Sequence, residues 1–219
     1  MDAIEIYIYL GAALIFVLIL VLSIRAGKKR QAALAAVATQ SGWQFAPDDV
    51  PPEALKAGRF PLFDVGRSKN ASNVMRGSSS PVTFVMFDYR YTTGSGRNSN
   101  TRSQTVLFVQ SPRLTPPPFV LSPENILHKI GGMFGYHDID FDASPEFSSR
   151  YLLRAKEHES VVRDLFSPSV RMWFDQHDRL SIEGGPDGVL VYRSGQKVKP
   201  EEIRTFVEKG LSTARLFER

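Results

Sequence analysis

FDYRYTTGSGRNSNTRSQTVLFV, residues Phe87 to Val109, is the stretch from which the fold can be read. Val85, Phe87, Tyr89 and Tyr91 alternate with Phe84, Met86, Asp88 and Arg90, a period of two that predicts a strand over Val82 to Thr92. The first half of this strand is apolar toward both faces, the second half toward one. Thr101 to Gln110 returns as its partner. Gly94-Ser95-Gly96-Arg97 lies between them, where a glycine-rich phosphate cradle and a hairpin tip both use glycine. A dinucleotide fingerprint needs a third glycine where Ser99 stands, and a helix where Thr105 to Val109 is β-branched and aromatic. No Gly-Lys-Ser/Thr, His-Arg-Asp or Asp-Phe-Gly follows, so P-loop and kinase chemistry are excluded with it. The stretch is a long antiparallel hairpin with a polar tip, and a sheet grows from it.

Upstream, Ile6 to Ile24 (IYIYLGAALIFVLILVLSI) is uncharged over 19 positions. A helix of that length is roughly 28 Å long, close to the hydrocarbon thickness of a bilayer. Tyr7 and Tyr9 sit at its start, where amphipathic rings favour the interface. Asp2 and Glu5 precede the run, while Arg25, Lys28, Lys29 and Arg30 follow it. That is the reverse of a signal peptide, and it orients a membrane span with the N-terminus outside and the rest cytoplasmic, at the cell (inner) membrane. The chain has no cysteine, which excludes a lipid-modified cysteine and agrees with a reducing compartment. The formal charge of +4 is largely this topology signal, since after residue 30 there remain 23 basic and 21 acidic residues. No basic stripe of a nucleic-acid binder is left.

The organisation expected is a membrane anchor over residues 1–30, an alanine-rich juxtamembrane helix over 31–44, and a cytoplasmic domain over 45–219. Phe60 to Val65 and Ala71 to Arg76 read as strands before the central hairpin, and Gly77 to Pro81 as a breaker. Pro112 to Pro118 is a stiff connector. Ser122-Pro123-Glu124 reads as a helix start, with Ile126, Leu127, Ile130, Met133 and Phe134 on one face. Asp138 to Asp142 and Tyr151 to Arg154 read as strands. Helices follow around Val161 to Phe166 and from Ser167-Pro168. Leu180 to Glu183 and Val189 to Arg193 form a second hairpin. A last amphipathic helix begins at Pro200, with Ile203, Phe206, Val207, Leu211 and Ala214 inward. Clustered strands, tight turns and helices in the C-terminal half define an α+β domain on a mainly antiparallel sheet.

Candidates for chemistry are few. Asp138, Asp140 and Asp142 would share one face of a strand, where three carboxylates could attract a divalent cation. The EF-hand version fails at Ala143 and Ser149. His158-Glu159 opens a zinc-protease pattern that Val162 breaks, and Ser194 to Lys197 matches Ser-x-x-Lys but falls in a turn without companion motifs. Arg90, Arg97 and Arg102 on the central hairpin are candidates for gripping an acidic partner or lipid headgroups, against the ordinary role of solvated strand arginines.

The succession FDYRYTTGSG, QTV, HKIGGMFGYHDIDFD, PEFSSRYLL and LFSP resembles bacterial single-span membrane proteins with a cytoplasmic domain, over most of residues 31–219. The resemblance implies a tethered domain with no assigned activity and no functional residues. The expected function is a non-catalytic, membrane-tethered binding domain without a cofactor. Its expected partners are the membrane through Ile6 to Ile24, and another protein or the anionic leaflet, not nucleic acid. A membrane-anchored, metal-assisted hydrolase using Asp138, Asp140 and Asp142 is the alternative.

Overall fold

The computed structural model describes residues 2–49, 59–124, 135–177 and 179–219. A single helix, α1 (Ala3–Ser41), unites the apolar run with the alanine-rich segment after it. The side chains from Tyr7 to Ile24 are exposed, whereas Leu34 and Ala38 are fully buried in the domain. One helix is therefore long and apolar enough to cross a membrane, and its C-terminal third belongs to the folded core.

Among the described residues the strands form one nine-stranded antiparallel sheet in the order β1-β2-β3-β4-β9-β8-β5-β7-β6. It is built from β1 (Gln44–Ala46), β2 (Arg67–Ser79), β3 (Val82–Thr93), β4 (Asn100–Gln110), β5 (Phe119–Pro123), β6 (His137–Ile139), β7 (Tyr151–Ala155), β8 (Ser181–Gly185) and β9 (Gly188–Tyr192). The α+β class read from the sequence is the one found. The central hairpin pairs residue for residue from Thr83↔Gln110 to Thr93↔Asn100. Its tip closes through a 3-10 turn, Gly96–Asn98. Gly94 has φ 73°, and a Cβ there would strike the Asn98 carbonyl, so glycine is the shape of the turn and not the sign of a bound phosphate.

Each face of the sheet carries its own core. On one face lie the end of α1, the helices α3 (Pro145–Arg150), α4 (Glu159–Leu165), α5 (Pro168–Gln176) and α6 (Ile203–Arg215), and a knot of Phe119, Phe147, Phe166, Phe174 and Phe217. On the other, Val85, Phe87, Tyr89 and Tyr91 of β3 meet Phe108 and Tyr192 beneath Phe60, Leu62, Phe63 and Val65. Alternation along β3 sends successive residues to opposite faces, so a strand buried on both sides supplies both cores.

Three expectations are corrected. Phe60 to Val65 is not a strand: Pro61 opens a short helix, α2 (Pro61–Asp64), and the Leu62 amide is held by Glu183 Oε2 at 3.1 Å. Proline suits the first helical position, where its missing N–H leaves nothing unpaired. Ser122-Pro123 does not start a helix but ends β5, a strand buried from Phe119 to Pro123 between β8 and β7. Proline is tolerated there because the ladder stops with it. Asp138 to Asp142 does not run as one strand, because β6 stops at Ile139 and the Asp140 carbonyl accepts from Arg163 Nη1 at 2.7 Å. The helical face expected over Ile126 to Phe134 lies outside the described residues.

Candidate functional site

Asp88 is the most densely bonded side chain of β3. It points from β3 toward α1 with its side chain 3% exposed. Arg30 of α1 donates to both its oxygens, Nε to Oδ2 and Nη2 to Oδ1, each at 2.7 Å. The third guanidinium nitrogen donates to the Val198 carbonyl at 2.8 Å. A bulge in β2 between Ser72 and Met75, with Asn73 at φ 57°, turns the Asn73 amide onto Asp88 Oδ2 at 2.9 Å. The Thr105 hydroxyl donates to Oδ1 at 3.0 Å, and Lys197 Nζ stands 3.5 Å from Oδ2. Burial by itself would raise the Asp88 pKa; the Arg30 hydrogen bonds and charge, then Lys197 and Asn73, outweigh it and hold the carboxyl below its ordinary value. The planar bidentate fork of arginine fixes direction as well as distance. The apolar helix is thus locked to the sheet rather than hung from it.

This lock determines what lies at the apolar end of the helix. Trp43, just beyond α1, packs edge-on against Phe84 with ring centroids 5.1 Å apart, and Arg30 holds Asp88. Going back along α1 therefore corresponds to going forward along β3. From Arg30 to Trp43 the helix covers about 20 Å, while Phe84 to Asp88 covers about 13 Å, an inclination of about 50°. Continued from Asp88 to Gly94, the hairpin advances about 20 Å along the strand, and about 13 Å along the helix axis. Ile24 lies only about 9 Å from Arg30 along α1. These extents put the hairpin tip within about 4 Å of the level of Ile24.

The residues gathered at that level are basic. Arg90 and Arg97 are exposed and Arg102 is half-buried. Arg67 closes the start of β2 onto the tip by donating to the Gly94 carbonyl, and Lys69 donates to the Phe63 carbonyl at 2.6 Å. Arg25, Lys28 and Lys29 are exposed on the helix itself. Between Asp88 and Glu124 the sequence contains no Asp or Glu. Asp64, which precedes Gly66 beside the Thr92 carbonyl, brings one carboxylate to this end. The three hairpin arginines named from the sequence lie toward the tip end of β3 and β4.

A second buried carboxylate stands on the opposite face. Glu183 of β8 is 1% exposed, and its oxygens accept from the Tyr192 hydroxyl at 2.7 Å and the Leu62 amide at 3.1 Å. Burial raises its pKa to about 7, with the two hydrogen bonds restraining the rise. Its structural effect is to pin α2 on the sheet. Asp138, by contrast, is occupied by Arg154 Nε at 2.6 Å, and among the described residues no three His, Cys, Asp or Glu side chains gather as metal ligands. Two open clefts of about 270 and 420 Å³ share Thr83 and Gln110, at the end of the hairpin opposite the arginine tip. Pro112 of the proline connector lines the smaller one.

Sequence reading missed both Asp88 and Glu183 as organising residues. The signal was a lone acid inside an apolar strand, VMFDYRY and LSIEGG, but its partners stand 58 residues away in one case and on a separate short helix in the other.

Fold and site define a class, one long apolar helix ion-paired into an antiparallel-sheet domain. Among solved structures the chain is similar to the crystal structure of the mycobacterial trehalose monomycolate transport factor A, TtfA, with a TM-score of 0.61 and 13% identity, over 88% of this chain and 93% of that one. At that identity the likeness is one of fold. No protein-family model matches the chain, and no curated protein does.

Proposed function

We propose that the chain is a membrane-tethered, non-catalytic binding domain, N-terminus outside and domain cytoplasmic, that acts as an accessory factor to an assembly in the cell membrane. The observation that carries the proposal is the continuity of α1 from an exposed apolar run into the domain core, closed by the Arg30–Asp88 pair. A flexible linker would serve to keep a domain near a membrane; a rigid one also fixes which surface meets a neighbour. Tethering raises the local concentration of a membrane-bound partner, and fixed orientation removes part of the entropy cost of meeting it. The similar structure is that of a transport factor, which fits a supporting role beside a transport machinery rather than turnover of a substrate.

The test is crosslinking of the tagged full-length protein in intact cells, with the captured species identified by mass spectrometry. The expected result is a specific membrane-protein partner that is lost when residues 1–30 are removed. Equal capture by the truncated, soluble domain would refute the tethered reading. The absence of any partner above that of an unrelated domain carried on the same span would refute the binding reading.

A further inference from the structure

We infer that the β3–β4 hairpin tip rests on the lipid headgroups of the leaflet from which the domain emerges, with Arg90 and Arg97 as its contacts to anionic phosphates. The inference deepens the tethered reading and rests on it, for it names the surface on which the domain stands. Two lines of observation, geometry and composition, converge on it. The ion pair between Arg30 and Asp88 and the Trp43–Phe84 contact fix the strand's sense relative to the helix, so the hairpin advances toward the apolar run. The distances along the helix axis, about 13 Å to the tip and about 9 Å to Ile24, bring the tip to within about 4 Å of the end of the apolar run, the boundary at which headgroups begin. Its composition is suited to that depth, with exposed arginine, serine, threonine and asparagine and no large apolar side chain between Thr92 and Thr105.

The charge pattern favours lipid over a protein partner. Arg90 and Arg97 on the hairpin and Arg25, Lys28 and Lys29 on α1 are all exposed, on two elements that the Arg30–Asp88 pair joins. An anionic leaflet attracts such a juxtamembrane cluster, each cation within a Debye length contributing roughly fivefold to the contact equilibrium. Arg67 is spent on the Gly94 carbonyl and Arg102 is half-buried beside Gly195, so they shape the tip while Arg90 and Arg97 reach outward. Sheet twist of about 20–25° per strand turns the distant β7 and β6 strands, with Asp138, away from this direction.

The absence of native cysteine makes the test direct, because a single introduced thiol is the only label site. The full chain with Ser95→Cys carries a nitroxide and is placed in nanodiscs of phosphatidylcholine, with or without phosphatidylglycerol. Relaxation by a headgroup-anchored nickel lipid reports proximity to the leaflet. A Ser78→Cys label on β2, paired with Thr83 at the far end of β3 from the tip, serves as the distant reference. Expected is strong relaxation at Ser95 in phosphatidylglycerol discs, weak relaxation at Ser78, and a fall in the contact equilibrium of roughly 25-fold with Arg90→Gln and Arg97→Gln together. Equal relaxation at the two labels, or no dependence on phosphatidylglycerol, overturns the lipid contact. Immobilisation of the Ser95 label that arises only when solubilised membrane proteins are added overturns it in favour of a protein partner. A chain that never enters the discs refutes the tether itself, a failure visible before any label is read.

Discussion

Two buried carboxylates of this domain have opposite electrostatic fates, and the difference lies in what each faces. Asp88 meets a guanidinium and stays ionised; Glu183 meets a phenol and an amide and holds its proton to about pH 7. For Glu183 the folded pKa lies above the ordinary 4.5, so the native state binds more protons than the unfolded one between about 4.5 and about 7. Stability from this group is complete below that window and declines as pH rises through it. At roughly 1.4 kcal/mol per pKa unit the decline amounts to about 3 kcal/mol. Glu183→Gln keeps an acceptor for the Leu62 amide and offers its NH2 to the Tyr192 oxygen, so the pairing survives without the titration. Urea unfolding midpoints measured across the window are expected to slope downward in the parent and to flatten in the variant. The variant is the more stable of the two above pH 7, and a parallel slope in both proteins would assign the pH dependence elsewhere.

At the scale of elements, hairpins carry the fold, and their turns are demanding. Gly188 in the β8–β9 turn has φ 138°, and a Cβ there would meet the Val109 carbonyl of β4. That carbonyl cannot yield without disturbing the Val109↔Val189 pairing of β4 with β9 at the centre of the sheet. Gly188→Ala is expected to cost about 2–3 kcal/mol, read as a lowered denaturant midpoint with an unchanged slope. Such turns were legible in the sequence because glycine, proline and asparagine act within a few residues; both hairpins and the α6 stripe were found where expected. What escaped were elements defined by distant partners. Phe119 to Pro123 becomes a strand because β8 and β7 flank it, and Phe60 to Val65 becomes a helix because Glu183 takes its second amide. The site followed the same rule: the hairpin arginines were visible one by one, but the way the hairpin is set against α1 depends on a pair 58 residues apart.

For the whole molecule, the question is whether α1 is a rope or a strut. Leu34 and Ala38 pack into the core, yet apolar packing alone allows a helix to slide or pivot, whereas the Arg30–Asp88 fork fixes both its depth and its rotation. Asp88→Asn leaves Arg30, 17% exposed, without its counter-charge, and Thr105 and Asn73 with a poorer acceptor. The loss is expected to be about 3 kcal/mol, the low end for a broken buried pair because water still reaches the guanidinium. Its more informative consequence is geometric. Spin labels at Ser23→Cys in the helix and Ser78→Cys in the domain should give a narrow distance distribution in the parent and a broad one in Asp88→Asn, in discs of the same lipid. If stability falls while the distribution stays narrow, the packing of Leu34 and Ala38 sets the orientation and the ion pair serves stability alone. If both change together, the pair is what turns a tethered domain into one presented to the membrane at a fixed angle, and hairpin contact with the leaflet should weaken in the same variant.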